Sequence, residues 1–298
     1  MKQNMSKYKK HCGYVLYGIF LTAALLYCRF PSDAFRDYLQ ATAGRAGPRY
    51  LLSIGEVRPS LPFGLKFLQT ELAPKENPDM SLFTADSLVI RPQIWSFLQG
   101  NPGYCFDCLA YDGALKGCAR FEKRGVKAPF TTSIELKDIS IDNYAFLPAL
   151  IGRGVKGTLG GTVTYRGQSN LFAEGTGEAN IKISDGKVEF LLPVLSLESI
   201  DFKELLLRLV LEKQKIDLSH VELKGRDING TLSGSISLKK EFLESDLDIK
   251  GMVEPLAAFV GGLKGALNII PFSEHVLKKG RLYFSIQGTL TEPEFKFL

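Results

Sequence analysis

The chain has 298 residues, 45% of them hydrophobic and 23% charged, which is ordinary globular material and enough for one elongated or two compact domains. Its formal charge of +5 invites a nucleic-acid reading, but Lys2, Lys7, Lys9 and Lys10 supply four of those charges; 37 basic residues less these four leaves 33 against 32 acidic ones. The rest of the chain is close to neutral, which argues against a surface that tracks phosphates and against nucleic acid as a partner.

The longest uncharged run is Gly13 to Cys28, GYVLYGIFLTAALLYC, preceded by Lys7, Lys9, Lys10 and His11 and closed by Arg29. A helix needs about 20 mostly apolar residues to cross a bilayer, with a lower limit near 17, so this run spans with help from Cys12 and Phe30. A cleaved signal peptide would want a small-residue site just after the run, and the one tidy Ala-x-Ala, Ala41 to Ala43, lies too far downstream. A lipoprotein would want a small residue before its cysteine, where Tyr27 stands. A buried helix in a soluble core leaves the lysines at one end unexplained, so an uncleaved anchor is the reading that remains. Cationic flanks stay cytoplasmic. The expected organisation is therefore a cytoplasmic tail at 1–12, a transmembrane anchor at 13–30, an amphipathic helix or linker at 31–48 and an exported β-rich domain at 49–298. In a Gram-negative bacterium that domain lies in the periplasm, tethered to the lipid bilayer of the inner membrane.

After the anchor, Pro31-Ser32 reads as a helix start, with Ser32 as cap and Asp33 in the first turn. Phe35, Tyr38, Leu39 and Thr42 follow at helical spacing, and Gly44 and Gly47-Pro48 end the helix. It lies on the outer membrane surface or packs on the next domain. From Tyr50 the period changes to two, and Pro59, Pro62 and Gly64 mark a turn between two strands in YLLSIGEVRPSLPFGLKF. Ala73 to Asp79 reads as a loop.

Short alternating segments dominate the remainder. Ile134 and Leu136, then Ile139 and Ile141, alternate with a slip at Lys137-Asp138 that predicts a β-bulge. Ile181 and Ile183, Val188 and Phe190, Ile216 and Leu218, Leu247 and Ile249, and Leu282, Phe284 and Ile286 repeat the pattern of one apolar and one wet face. Two segments read as helices, Tyr144 to Ile151 and Pro255 to Phe272. In the second, Phe259, Leu263, Leu267 and Ile270 make one stripe, and its glycines leave it too interrupted to cross a membrane. The fold class expected is mainly β: a single N-terminal transmembrane helix followed by an elongated, curved antiparallel sheet of hairpins with few helices.

A weak repeat supports the hairpins. DGALKGCARF (112–121), KGTLGGTVTY (156–165) and NGTLSGSISL (229–238) align without gaps, and QGTLTEPEFKF (287–297) begins alike but carries Glu292-Pro293 where the second glycine would stand. Each copy reads as the return arm of a hairpin. Cys118 falls in one copy; a three-residue turn centred on Gly113 sets it opposite Cys108, within disulfide reach. Cys105 and Cys108 match C-x-x-C formally, but the βαβ setting of a redox site is missing.

No constellation announces chemistry. Gly152, Gly154 and Gly157 match G-x-G-x-x-G, yet a helix-like segment precedes them and a strand follows, the reverse of a dinucleotide site. His220 and His275 offer neither paired metal spacing nor a nucleophile, and Glu198, Asp201 and Glu204 sit at polar strand positions that suit a solvated face. The expectation is no catalytic residue, no metal, no cofactor and no enzymatic activity.

The lysine tail, the lone anchor, RFPSDAFRDYLQ, the strand pair with VRPSLPFGLKF, and the late segments KGRDINGTLSGSISL and QGTLTEPEFKF together resemble the type II secretion system protein N family. The glycine-led strands and the closing G-T-L-x-x-P-x-F are more distantly similar to AsmA-like proteins. The resemblance covers nearly the whole chain, through short structural motifs. It implies an inner-membrane-anchored periplasmic component of the type II secretion pathway, acting with other secretion-system proteins. Its AsmA side implies a sheet whose apolar face holds or bridges phospholipid between the two membranes. CFDCLAYDGALKGC stands apart, since neither family accounts for its cysteines.

Overall fold

The structure is a computed structural model and describes residues 13–15, 17–18, 21–22, 25, 27–47, 49–123, 125, 128–144, 147, 154–168, 171–194, 197–226, 228–255, 277–278 and 281–298. Among them the chain is mainly β, with few helices. Helix α1 (Ser32–Ala46) leads into an antiparallel sheet of fifteen strands. These are β1 (Tyr50–Ser60), β2 (Gly64–Pro74), β3 (Phe83–Pro92), β4 (Gly103–Ala110), β5 (Gly113–Phe121), β6 (Phe130–Ser140), β7 (Val155–Gly167) and β8 (Thr176–Val194). They continue with β9 (Leu197–Glu212), β10 (Lys215–Gly225), β11 (Ile228–Ser237), β12 (Asp246–Pro255), β13 (Leu277–Lys278), β14 (Arg281–Thr289) and β15 (Pro293–Phe297). A second helix, α2 (Ile94–Leu98), joins β3 to β4.

From β1 to β12 every strand pairs with the next in sequence; β12 pairs β14, and β14 also holds β13 and β15. The first and last strands are not paired with each other, so the sheet is open. This order follows from local turn chemistry. The two strands expected in YLLSIGEVRPSLPFGLKF form as β1 and β2, joined at Leu61-Pro62-Phe63 by a tight turn with a cis Leu61-Pro62 bond. The slip at Lys137-Asp138 is a bulge: the β6–β7 register shifts between Leu136 and Ile139, and Asp138 takes φ 52°.

Helix α1 packs on the sheet. Phe35 and Leu39, with Phe30 before them, lie against a core of Ile54, Val57 and Phe67. Tyr38, counted in the same stripe from spacing, faces solvent instead. Ser32 is the first helical residue and makes no side-chain cap, a correction to the expected N-cap; Asp33 does stand in the first turn, paired with Arg36 at 3.2 Å. The loop expected at Ala73 to Asp79 begins later, because Ala73 and Pro74 still pair with Leu51 and Tyr50.

The predicted helix at Tyr144 to Ile151 lies outside the described residues except for Tyr144 and Leu147, and that at Pro255 to Phe272 except for Pro255, which closes β12. No helix among the described residues is long and apolar enough to cross a membrane. Of the 13–30 span expected as an anchor, the described residues up to Cys28 are helical and exposed, while Phe30 is non-helical and packs on the sheet core; Leu16, Ile19, Phe20, Ala23, Ala24 and Leu26, all apolar in sequence, lie outside the described residues.

Candidate functional site: the apolar face of the sheet

Residues directly opposite each other in antiparallel strands point to the same face, so the register sorts side chains into rows. One row runs through fourteen strands without a polar residue. From β1 to β7 it reads Val57, Phe67, Leu88, Cys108, Leu115, Leu136 and Gly161. It continues through Ile181, Leu207, Val221, Leu232, Gly251, Phe284 and Phe297. The row beside it, which includes Ile90, Phe106, Ile134, Val163, Leu209 and Ile286, is apolar at all its positions too. A third row, Ile139, Leu159, Ile183, Leu205, Leu223, Gly230, Val253 and Leu282, extends the face from β6 to β14.

Two bulges keep these rows aligned. Leu136 and Ile139 on β6, and Leu218 and Val221 on β10, are three residues apart, a spacing that puts neighbours on opposite faces of a regular strand. The register shifts at both places absorb the odd residue and return both side chains to the same face.

The glycine repeat belongs to the same face. Its second glycine stands opposite an isoleucine of the following strand in each gapless copy: Gly117 with Ile134, Gly161 with Ile181, Gly234 with Ile249. A Cβ at these positions would fall against the carbonyl oxygens of Ser133, Asn180 and Asp248, and Gly161 and Gly234 take φ 149° and 148°. Farther along, the Phe284 ring lies over Gly251. In the fourth segment Gly288, one residue short of the end of β14, pairs with Pro293 of the return arm β15.

The opposite face is wet. Glu204 sits between Lys182, at 2.5 Å, and Lys224, at 3.4 Å, and their hydrogen bonds hold its carboxyl below the ordinary range. Arg208 pairs with Glu178 at 3.0 Å, Arg281 with Glu254 at 3.4 Å, and Arg91 with Asp107. Asp201 is exposed, as a solvated face requires; the side chain of Glu198 is not described.

The cysteines divide between the two faces, which corrects the expected Cys108–Cys118 bridge. The β4–β5 turn has two residues, Tyr111 and Asp112, at φ 52° and 58°, rather than three centred on Gly113. That register sets Cys105 opposite Cys118, and those two form the disulfide on the wet face, where Gln93 Nε2 donates to Cys105 Sγ over 2.9 Å. Cys108 pairs in register with Leu115 and is a free, buried thiol of the apolar face. Burial, with the charge of Asp86 behind it, pushes its pKa up to about 11.

No group of three or more potential metal ligands is found among the described residues. His220 Nε2 lies 3.4 Å from Glu222, both along one strand, and His275 lies outside the described residues. Of the G-x-G-x-x-G match, Gly152 lies outside them too, while Gly157 is a strand residue of β7. Comparison with family models, with curated proteins and with solved structures finds no match. The molecule is thus defined by its architecture, an open antiparallel sheet with one continuous apolar face. Sequence reading located the strands and missed the rows; the recurring Gly-x-x-x-Gly within a strand, with an isoleucine on the next strand, was the signal for them.

Proposed function

We propose that this chain is an inner-membrane-anchored periplasmic component of the type II secretion pathway, a structural and interaction protein rather than an enzyme, and that it meets its partners through the apolar face of the sheet. The observation that carries this reading is the continuity of that face. Fourteen strands at ~4.8 Å spacing make it about 60 Å long; Val57, Phe67, Cys108, Val221 and Phe284 are buried, and Leu136, Ile181, Leu207 and Leu232 between them stay half-exposed. A contiguous apolar face of this length is the kind of surface that marks an interaction site. Among the described residues only α1 packs broadly on the sheet, at its first strands. The anchor is supported by the helical state of the described residues of 13–28, none of which is buried. The likeness to the type II secretion system protein N family supplies the pathway. Deleting the gene is expected to leave secreted enzymes in the periplasm, and normal secretion in the deletion strain overturns the assignment.

One observation favours a second reading, an AsmA-like lipid carrier or bridge. The apolar rows run across the strands without a break, so an acyl chain lying on them meets no charge between β1 and β15. Full-length protein purified in mild detergent is expected, on this reading, to carry phospholipid detectable by mass spectrometry after solvent extraction. A lipid-free preparation returns the face to protein partners alone.

A further inference from the structure

We propose that one end of the sheet is a seat on the lipid bilayer, formed by Leu61 and Phe63 at the β1–β2 tip and by Ile94, Trp95 and Leu98 on α2. The proposal rests on the anchor reading above and adds a second, separate contact with the same membrane. Chain direction fixes which end this is. Tyr50 N donates to Gly47 O over 3.0 Å where α1 meets β1, Arg36 reaches Gly55 O at 3.4 Å, and Phe30 packs on the cluster containing Val57. Helix α1 therefore runs back along β1, and the residues before Phe30 leave from the end where β1 turns into β2. Arg29 alone separates Phe30 from Cys28, the last helical residue of the run. If the membrane-spanning run ends at Cys28, with Phe30 already packed on the sheet, two chain steps of about 3.8 Å leave that end of the sheet within roughly 10 Å of the bilayer surface. Val57 stands four residues short of Leu61, so the tip projects about 13 Å beyond it, toward the membrane.

Helix α2 stands on the same end. A Cβ on Gly64 would touch Arg91 Cγ at 3.0 Å, so the β1–β2 tip and the segment after Arg91 are neighbours, one strand spacing apart. Their side chains are among the most solvent-exposed apolar groups described: Leu61 71%, Phe63 64%, Trp95 79% and Leu98 73%. No charge occurs from Pro59 to Leu65 or from Pro92 to Phe106. At the other end of the same strands the β2–β3 connection exposes Lys75, Glu76, Asn77 and Asp79. An uncharged, Trp- and Phe-bearing tip held this close to a bilayer matches the interfacial belt, where such rings partition. Phe172 and Phe242 are also exposed on loops at this end. Phe172 follows β7 and Phe242 follows β11, many strands along the sheet from the seat at β1 to β4, and an ordinary strand twist of about 20–25° per step would turn their rim away from it.

Trp95 is the single tryptophan of the chain and reports on the contact directly. The full chain is reconstituted into vesicles of phosphatidylethanolamine and phosphatidylglycerol, with either plain or brominated acyl chains. Trp95 emission is expected to be quenched by the brominated lipid, most strongly when the bromines sit near the headgroup. The double variant Leu61→Ser, Phe63→Ser is expected to lose most of that quenching, and Phe242→Ser to keep it. A chain that stays in the vesicles through alkaline extraction and yet fluoresces equally in both lipids overturns the seat and leaves the anchor standing. A chain released by alkaline extraction overturns the anchor reading, and the seat with it.

Discussion

Cys105 and Cys108 are three residues apart on one strand and look out from opposite faces, so only one of them can share a face with Cys118. The register gives that place to Cys105. A non-reducing peptide map of the folded protein is expected to yield a Cys105–Cys118 crosslink, with Cys108 alkylated only after unfolding; a Cys108–Cys118 crosslink would contradict the two-residue turn. Because burial raises the Cys108 pKa from 9.0 to about 11, the folded state keeps a proton that the unfolded chain releases first. Its contribution is intact below about pH 9 and is lost as pH rises from there toward 11. Cys108→Ala is expected to flatten this alkaline loss in urea titrations. Gly161 makes a second demand at this scale. With φ 149° and a carbonyl in the place of a Cβ, Gly161→Ala is expected to cost about 1–3 kcal/mol of unfolding free energy, whereas Gly160→Ala, whose nearest neighbour is 3.5 Å away, stays near wild type.

At the scale of elements, α1 owes its place to two side chains. Phe35 and Leu39 dock it on β1 and β2, while Tyr38 and most of its polar positions face water. Leu39 is only half-buried, so Leu39→Ala is expected to cost about 1–3 kcal/mol, the lower part of the range for core truncations, and to speed proteolysis between α1 and β1. Unchanged protease sensitivity would mean that α1 is held by something other than this contact. Much at this scale was legible beforehand. The β1–β2 turn announced itself through Pro62 and Gly64, and the bulge at Asp138 through a slip in alternation. What stayed hidden has physical causes. A two-residue turn with both φ positive usually shows Asn or Gly, and Tyr111-Asp112 shows neither, so the β4–β5 register could not be read. Helix α2 is a single five-residue turn with no side-chain cap, too short to leave a period.

For the whole molecule the register matters more than any one strand. Alternation within a strand shows that one face is apolar; only pairing shows that the apolar positions of fourteen strands fall into line. Such a face makes a sharp prediction, because neighbours in sequence then have opposite roles. On β9, Leu207 and Leu209 belong to the two longest rows, and Arg208 between them pairs with Glu178 on the wet face. All three are partly or fully open to solvent, so none is a core residue whose loss unfolds the sheet. Leu207→Glu and Leu209→Glu each place a carboxylate in the middle of the apolar rows. A bound apolar partner would have to desolvate that charge at a cost of several kcal/mol, enough to abolish binding. Arg208→Ala removes only a surface ion pair worth about 1 kcal/mol or less. On the proposed secretion role, the expected outcome is that either Leu→Glu variant keeps the β-rich circular dichroism of the parent but fails to restore secretion in the deletion strain, while Arg208→Ala restores it. Secretion restored by all three variants would show that the apolar face is not the working surface.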